Sequence, residues 1–103
     1  YKILLETPIT KVKLIEVYPQ SRFSYQTHEF RTEYWTFIEG EGKLTLDDKI
    51  IAAIKGLQVS IKPQIKHRIH NDQDKPLFLI EVQLGSYFGE DDIKRIEDDF
   101  GRV

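Results

Sequence analysis

Short β-prone runs, each closed by a turn signal, recur along nearly the whole chain and leave little else for it to become. Residues 1–5, 11–18, 22–26, 34–39, 43–46, 49–54, 57–61, 65–70 and 77–84 are rich in β-branched and aromatic side chains. Between them stand breakers: Thr7-Pro8, Pro19-Gln20-Ser21, Gly40-Glu41-Gly42, Asp47-Asp48, Gly56, Pro63, and the polar stretch 71–76 ending in Pro76. About eight to ten such strands with almost no helix predict an all-β chain, an antiparallel sandwich or barrel. With 103 residues there is room for one core, so one domain over 1–103 and a single site are expected. The one helical expectation is a short turn over residues 91–97, where Asp91 and Asp92 precede Lys94 and Arg95, the order a helix dipole favours.

The alternation within the runs predicts their faces. Residues 11–14 alternate and then shift parity at Ile15 and Val17, which predicts a bulge or a strand covered on both sides. In residues 22–26, Phe23 and Tyr25 oppose Ser24 and Gln26, so the polar pair shares a face with His28. A small barrel with a ligand pocket inside accounts for a polar inward face. In residues 77–84, Phe78, Ile80, Val82 and Leu84 read as the core face, and Leu77, Leu79, Glu81 and Gln83 as the face that turns polar. Glu81 on such a strand needs a partner or a wet pocket. Trp35 and Phe37 read as core.

Composition narrows the function. A net charge of -2 gives no electrostatic reason for a nucleic-acid or anionic-membrane partner. With no cysteine there is neither a disulfide framework nor a thiolate zinc site, so a metal must sit on His and oxygen ligands. This fits a cytoplasmic protein, as does the lack of a signal-peptide pattern or a long apolar run. A start at Tyr1 and the lack of any methionine suggest a piece of a longer chain.

The candidate chemistry gathers in residues 26–40. Gln26 and His28, two apart, share a strand face, and a turn over 29–32 would bring Glu33 back to them. Gln oxygen, His nitrogen and Glu oxygen suit a borderline or hard divalent ion. A fourth ligand must come from elsewhere. His67 and His70, three apart, face opposite ways in a strand, so at most one looks inward. His70 reads as solvent-facing or capping. The acids at 90–92 and 97–99 read as a solvated surface around the helical turn.

Gln26, His28, Glu33 and Gly40 follow the spacing of the first cupin motif, with Gln in place of the usual first His, and Gly56, His67 and Asn71 follow the second. The chain thus resembles the cupin superfamily, which implies a double-stranded β-helix, or jelly-roll barrel. Gln-x-His-x-x-Arg-x-Glu-x-Trp at 26–35, Lys-His-Arg at 66–68 and the signature at 81–95 look like the cupin domain of type II mannose-6-phosphate isomerases. In bacteria that domain often follows a guanylyltransferase domain, for which this chain has neither the length nor a Gly-rich nucleotide loop. Three positions depart from the family pattern: Tyr34 replaces a His, Lys62 a Pro and Gln64 a turn Gly. Loss of a positive-φ glycine predicts an altered loop before His67.

The resemblance makes His67 the fourth ligand beside Gln26, His28 and Glu33, on one divalent ion, zinc first and cobalt or manganese as alternatives. It implies isomerisation of mannose 6-phosphate and fructose 6-phosphate through an enediolate. Arg31, Lys66 and Arg68 would contact phosphate or oxyanion, and Arg31, Glu81, Glu90 and Arg95 would serve proton transfer or orientation. It also implies a homodimer paired through sheet edges. A non-catalytic, metal-containing cupin that binds a sugar or sugar phosphate in polysaccharide synthesis is the competing reading, and another cupin enzyme such as an epimerase or dioxygenase the third.

Overall fold

The structure, a computed structural model, describes residues 1–97. Its strands are β1 (Lys2–Thr7), β2 (Thr10–Val17), β3 (Ser21–Arg22), β4 (Tyr25–Thr27), β5 (Arg31–Glu39), β6 (Glu41–Leu46), β7 (Lys49–Ile54), β8 (Gln58–Ile61), β9 (His67–Asn71), β10 (Leu77–Gly85) and β11 (Lys94–Glu97). They form two antiparallel sheets, ordered β1-β2-β10-β5-β8 and β11-β4-β9-β6-β7, with β3 also on β9. The chain crosses back and forth between the two sheets, which makes the jelly-roll that the cupin resemblance implied.

Turn chemistry fixes the corners. Asp47 and Asp48, at φ of 45° and 69°, join β6 to β7 as the two central residues of a primed hairpin turn, where short polar side chains tolerate the left-handed region. Gly40, at φ of 88°, links β5 to β6, and a Cβ there would lie 2.4 Å from the Pro76 carbonyl oxygen. Only glycine fits both constraints. Asn71, fully buried, donates to the carbonyls of Val17 (2.9 Å) and Lys75 (2.8 Å), tying β9 to β2 and closing the polar turn after it.

Register explains how one interior can be both core and pocket. On the inward faces of β2, β10 and β5, Ile15, Leu79 and Phe37 stand side by side, and Val17 lies opposite Leu77. Two residues along, the next layer is Lys13, Glu81 and Trp35, and the one after it Lys11, Gln83 and Glu33. Each central strand is therefore apolar at one end of its inward face and polar at the other. The apolar ends join Ile61 of β8 and Leu44, Ala53 and Ile69 of the second sheet in the core.

This register corrects three expectations. The inward face of β10 is Leu77, Leu79, Glu81 and Gln83, all buried, while Phe78, Ile80, Val82 and Leu84 lie outward. The parity shift expected in β2 is not a bulge, because β2 pairs with β10 without a break from Thr10 to Val17. The irregularity lies instead in β1, where Leu4 is the extra residue opposite β2. Inward lysines had made one continuous face read as two. Third, the helical turn is confined to a 3-10 turn at Glu90–Asp92, and Lys94–Glu97 is a strand paired with β4. Edge pairing with β4 satisfies the backbone that a helix would have satisfied internally. Asp98 and Asp99 lie outside the described residues.

Candidate functional site

The polar ends of the inward faces enclose a cavity of about 470 Å³. Gln26, Arg31, Glu33, His67, Glu81 and Arg95 are among its lining residues, with Trp35 and Ile69 on the apolar side. His28, Glu33 and His67 are buried, and their ligand atoms all lie within 4.8 Å of one another. Gln26 stands directly opposite His67 where β4 meets β9, its Oε1 accepting from Ser24 Oγ at 3.2 Å.

One loop aims both imidazoles. Pro63 and Gln64 are the central residues of a turn closed by Ile65 N donating to Lys62 O at 3.2 Å. Gln64 holds φ at 71°, so the shape usually given by glycine is kept at the cost of some backbone strain, and the expected altered loop is not found. Gln64 N donates to His28 O at 2.7 Å, and Ile65 O accepts from His67 Nδ1 at 3.0 Å. That second bond puts the His67 proton on Nδ1. His67 Nε2 is left with its lone pair, buried and without a hydrogen-bond partner.

His28 is neutral for a related reason. Arg31 Nη2 lies 2.7 Å from His28 Nε2 and must be the donor, since a guanidinium has no acceptor. Burial first, and the Arg31 charge second, hold the His28 pKa down at about 2. Arg31 Nε also donates to Glu33 Oε2 at 2.8 Å, and Trp35 Nε1 donates to Glu33 Oε1 at 3.1 Å. Burial nonetheless pushes the Glu33 carboxyl above the usual range, with Arg31 and Trp35 opposing. Burial also lowers His67.

Two neutral imidazoles and a carboxylate are a donor set suited to a divalent ion. The orphaned Nε2 of His67 supports the fit: a buried acceptor without a partner costs free energy that a bound cation would recover. Arg31 now uses lone pairs on His28 and Glu33 that such an ion would need, so the two cations compete for them.

Glu81 faces the same cavity and donates nothing; it accepts from Gln83 Nε2. Burial and then the nearby Glu33 push its carboxyl up to about 7. Of the other sequence-predicted residues, Arg68 lines the cavity while its Nε donates to Phe23 O at 2.9 Å, and Arg95 stands opposite Gln26. Lys66 does not line the cavity: the β6–β7 hairpin claims it, its Nζ 2.8 Å from Asp48 Oδ2 and its backbone N donating to Asp47. Glu90 lies in the 3-10 turn. Tyr34 is 44% exposed on the outward face of β5, so its departure from the family pattern is remote from the cavity.

Sequence reasoning missed three contributors. Lys13 is buried on the cavity wall; its inward direction could have been read from Ile15 and Val17, two and four residues on. Gln83 is fully buried with its Oε1 unpaired. Asp92, read as solvated surface, is buried and accepts from the backbone N–H groups of Glu29 (3.0 Å) and Phe30 (3.1 Å), clamping the loop between His28 and Arg31. Only the fold brings that pair together.

The family described as mannose-6-phosphate isomerase C-terminal matches residues 1–98. Alginate biosynthesis protein AlgA of Pseudomonas aeruginosa is 44% identical over 93 residues, 90% of this chain and 19% of that protein. A mannose-1-phosphate guanylyltransferase of Klebsiella pneumoniae is 37% identical over 100 residues, 97% of this chain and 21% of that protein. The chain thus spans about a fifth of the length of these relatives. Among solved structures, a conserved double-stranded β-helix protein from Klebsiella pneumoniae superposes with a TM-score of 0.81 at 21% identity, covering 93% of this chain and 82% of the other. A cavity with a metal-type donor set, in a jelly-roll whose sequence matches from the first residue to the last strand, leads to one assignment: this chain belongs to the mannose-6-phosphate isomerase C-terminal family and has the cupin fold.

Proposed function

We propose that the domain, taken as residues 1–103, is a metal-dependent aldose–ketose isomerase that interconverts mannose 6-phosphate and fructose 6-phosphate. The observation that carries this reading is that Glu33 and His67, grouped with His28 within 4.8 Å, line the same cavity as a second buried carboxyl, Glu81. Gln26, His28, Glu33 and His67 would hold one divalent ion, zinc first, with cobalt or manganese as alternatives. Such an ion supplies a Lewis acid toward sugar oxygens.

The chain's own residues supply the rest. Glu81 takes the proton from one carbon and returns it to its neighbour, a task suited to a carboxyl near neutrality. Arg31, Arg68 and Arg95 provide cationic donors for the anionic substrate. Glu90 keeps its orienting role on resemblance alone. Two copies pair through sheet edges; β1, an edge strand exposing Ile3, Leu4 and Leu5, is the surface available for it. The cytoplasm is the expected compartment, because its sugar phosphates are the substrate. No helix among the described residues is long and apolar enough to cross a membrane.

The test is a coupled assay of protein loaded in turn with zinc, cobalt and manganese. Conversion of mannose 6-phosphate is expected with at least one metal. Binding of the sugar phosphate without turnover under any metal overturns the isomerase reading and leaves a sugar-phosphate-binding cupin. A monomeric mass by light scattering overturns the dimer.

A further inference from the structure

Lys13 is a cation that the metal group, the proton-transfer carboxyl and the rim arginines leave unused. It sits on the inward face of β2, opposite Glu81 in register and one layer from Gln83 and Glu33. It is 9% exposed and lines the cavity. Among the described residues its ammonium makes neither a hydrogen bond nor an ion pair; its Nζ lies 4.1 Å from the centroid of the Tyr1 ring. An aromatic face stabilises a cation without using its N–H donors. Arg31, by contrast, already directs three of its five donors to Glu33, His28 and Phe88 O. A nearly buried ammonium with open donors is costly unless a ligand completes it.

We propose that Lys13 contacts substrate, donating to the sugar oxygen that turns negative as the proton moves between C2 and C1. This rests on the isomerase reading. The location favours that oxygen over the phosphate. Lys13 shares its layer with Glu81 and adjoins that of Glu33, and its charge reaches His28, Glu33 and Glu81. A phosphate dianion placed there would face two carboxyls, whereas a single developing negative charge matches one ammonium.

Glu81 takes the C2 proton, the C2–H electron pair becomes the C1=C2 bond, and the carbonyl pair moves to O1, where Lys13 donates. The hydroxyl proton on O2 passes to O1, Glu81 returns its proton to C1, and C2 becomes the carbonyl carbon. Lys13 stays protonated throughout, and nothing is oxidised overall.

Lys13→Met in the metal-loaded protein tests it. Removing one preorganised donor should lower kcat by about a hundredfold, with KM and metal content little changed. A second readout needs no turnover: affinity for the five-carbon phosphohydroxamate that mimics the enediolate, against affinity for the six-carbon sugar-alcohol phosphate that cannot form one. The variant should lose about a hundredfold for the first and under about threefold for the second. Lys13→Arg should recover part of both losses, and if Lys13→Met does not fold, Lys13→Gln takes its place. An unchanged kcat, or equal loss for both ligands, overturns the role of Lys13 while the isomerase reading stands. A parent protein that neither turns over substrate nor binds either ligand overturns both.

Discussion

Glu81→Gln should make the protein more stable, and increasingly so as pH rises. Glu81 is 5% exposed, and burial plus Glu33 raise its pKa from 4.5 to about 7. In the unfolded chain the carboxyl ionises normally. Between those two pH values the folded state holds a proton that the unfolded state has released, so the stability this group allows is full below about pH 4.5 and is lost as pH rises through about 7. At about 1.4 kcal/mol for each pH unit, the ionised carboxyl costs the fold about 3 kcal/mol at pH 8. Gln has the same shape and cannot ionise, so it escapes that cost. Urea unfolding of chelator-treated parent and variant across pH 4 to 8 (a range of about four units) should give stability curves that diverge by about 3 kcal/mol. For a domain of this size the melting gap should widen by on the order of 10–20 °C. Curves that stay parallel would mean that Glu81 ionises without penalty, in a cavity wetter than its burial implies. Convergence with rising pH would refute the sign itself.

Other substitutions probe the site and its frame. His67→Ala should weaken binding of zinc by at least about a hundredfold in a chelator-competition assay, because it deletes the one ligand nitrogen with no protein partner; unchanged affinity would remove His67 from the ligand set. Gln64→Gly should raise stability by about 0.5–1 kcal/mol in urea, relief of the left-handed conformation at φ of 71° outweighing the greater freedom of glycine in the unfolded chain. Gly40→Ala should cost more than about 2 kcal/mol, since a Cβ would meet the Pro76 oxygen at 2.4 Å in a backbone conformation that favours glycine; a neutral effect would show that the β5–β6 corner can move.

Much of the architecture was legible because its signals are local. Hairpin residues such as Asp47 and Asp48 act over two positions, and the apolar alternation of Leu57, Val59 and Ile61 needs no partner strand to be read. The acidic stretch before Lys94 misled because its charge order favours a helix dipole, while pairing with β4 decided that Lys94–Glu97 would be a strand. The faces of β2 and β10 were misread for a single reason. Inward-facing was equated with apolar, and in a barrel that encloses a cavity half of each inward face is polar.

The sequence by itself determined the all-β class, the main corners, and the spacing that sets Gln26, His28 and Glu33 apart as one group, because these depend on neighbours along the chain. The tertiary structure decided which lone pairs remain available: His67 Nε2 is free because Nδ1 donates its proton to Ile65 O, and Lys13 has donors to spare because, among the described residues, no carboxylate forms an ion pair with it. It also decided that burial and the nearby Glu33 push the Glu81 carboxyl up to about 7 and that Asp92 clamps the loop behind His28. Desolvation and hydrogen bonding between residues sixty positions apart exist only once register brings the strands together.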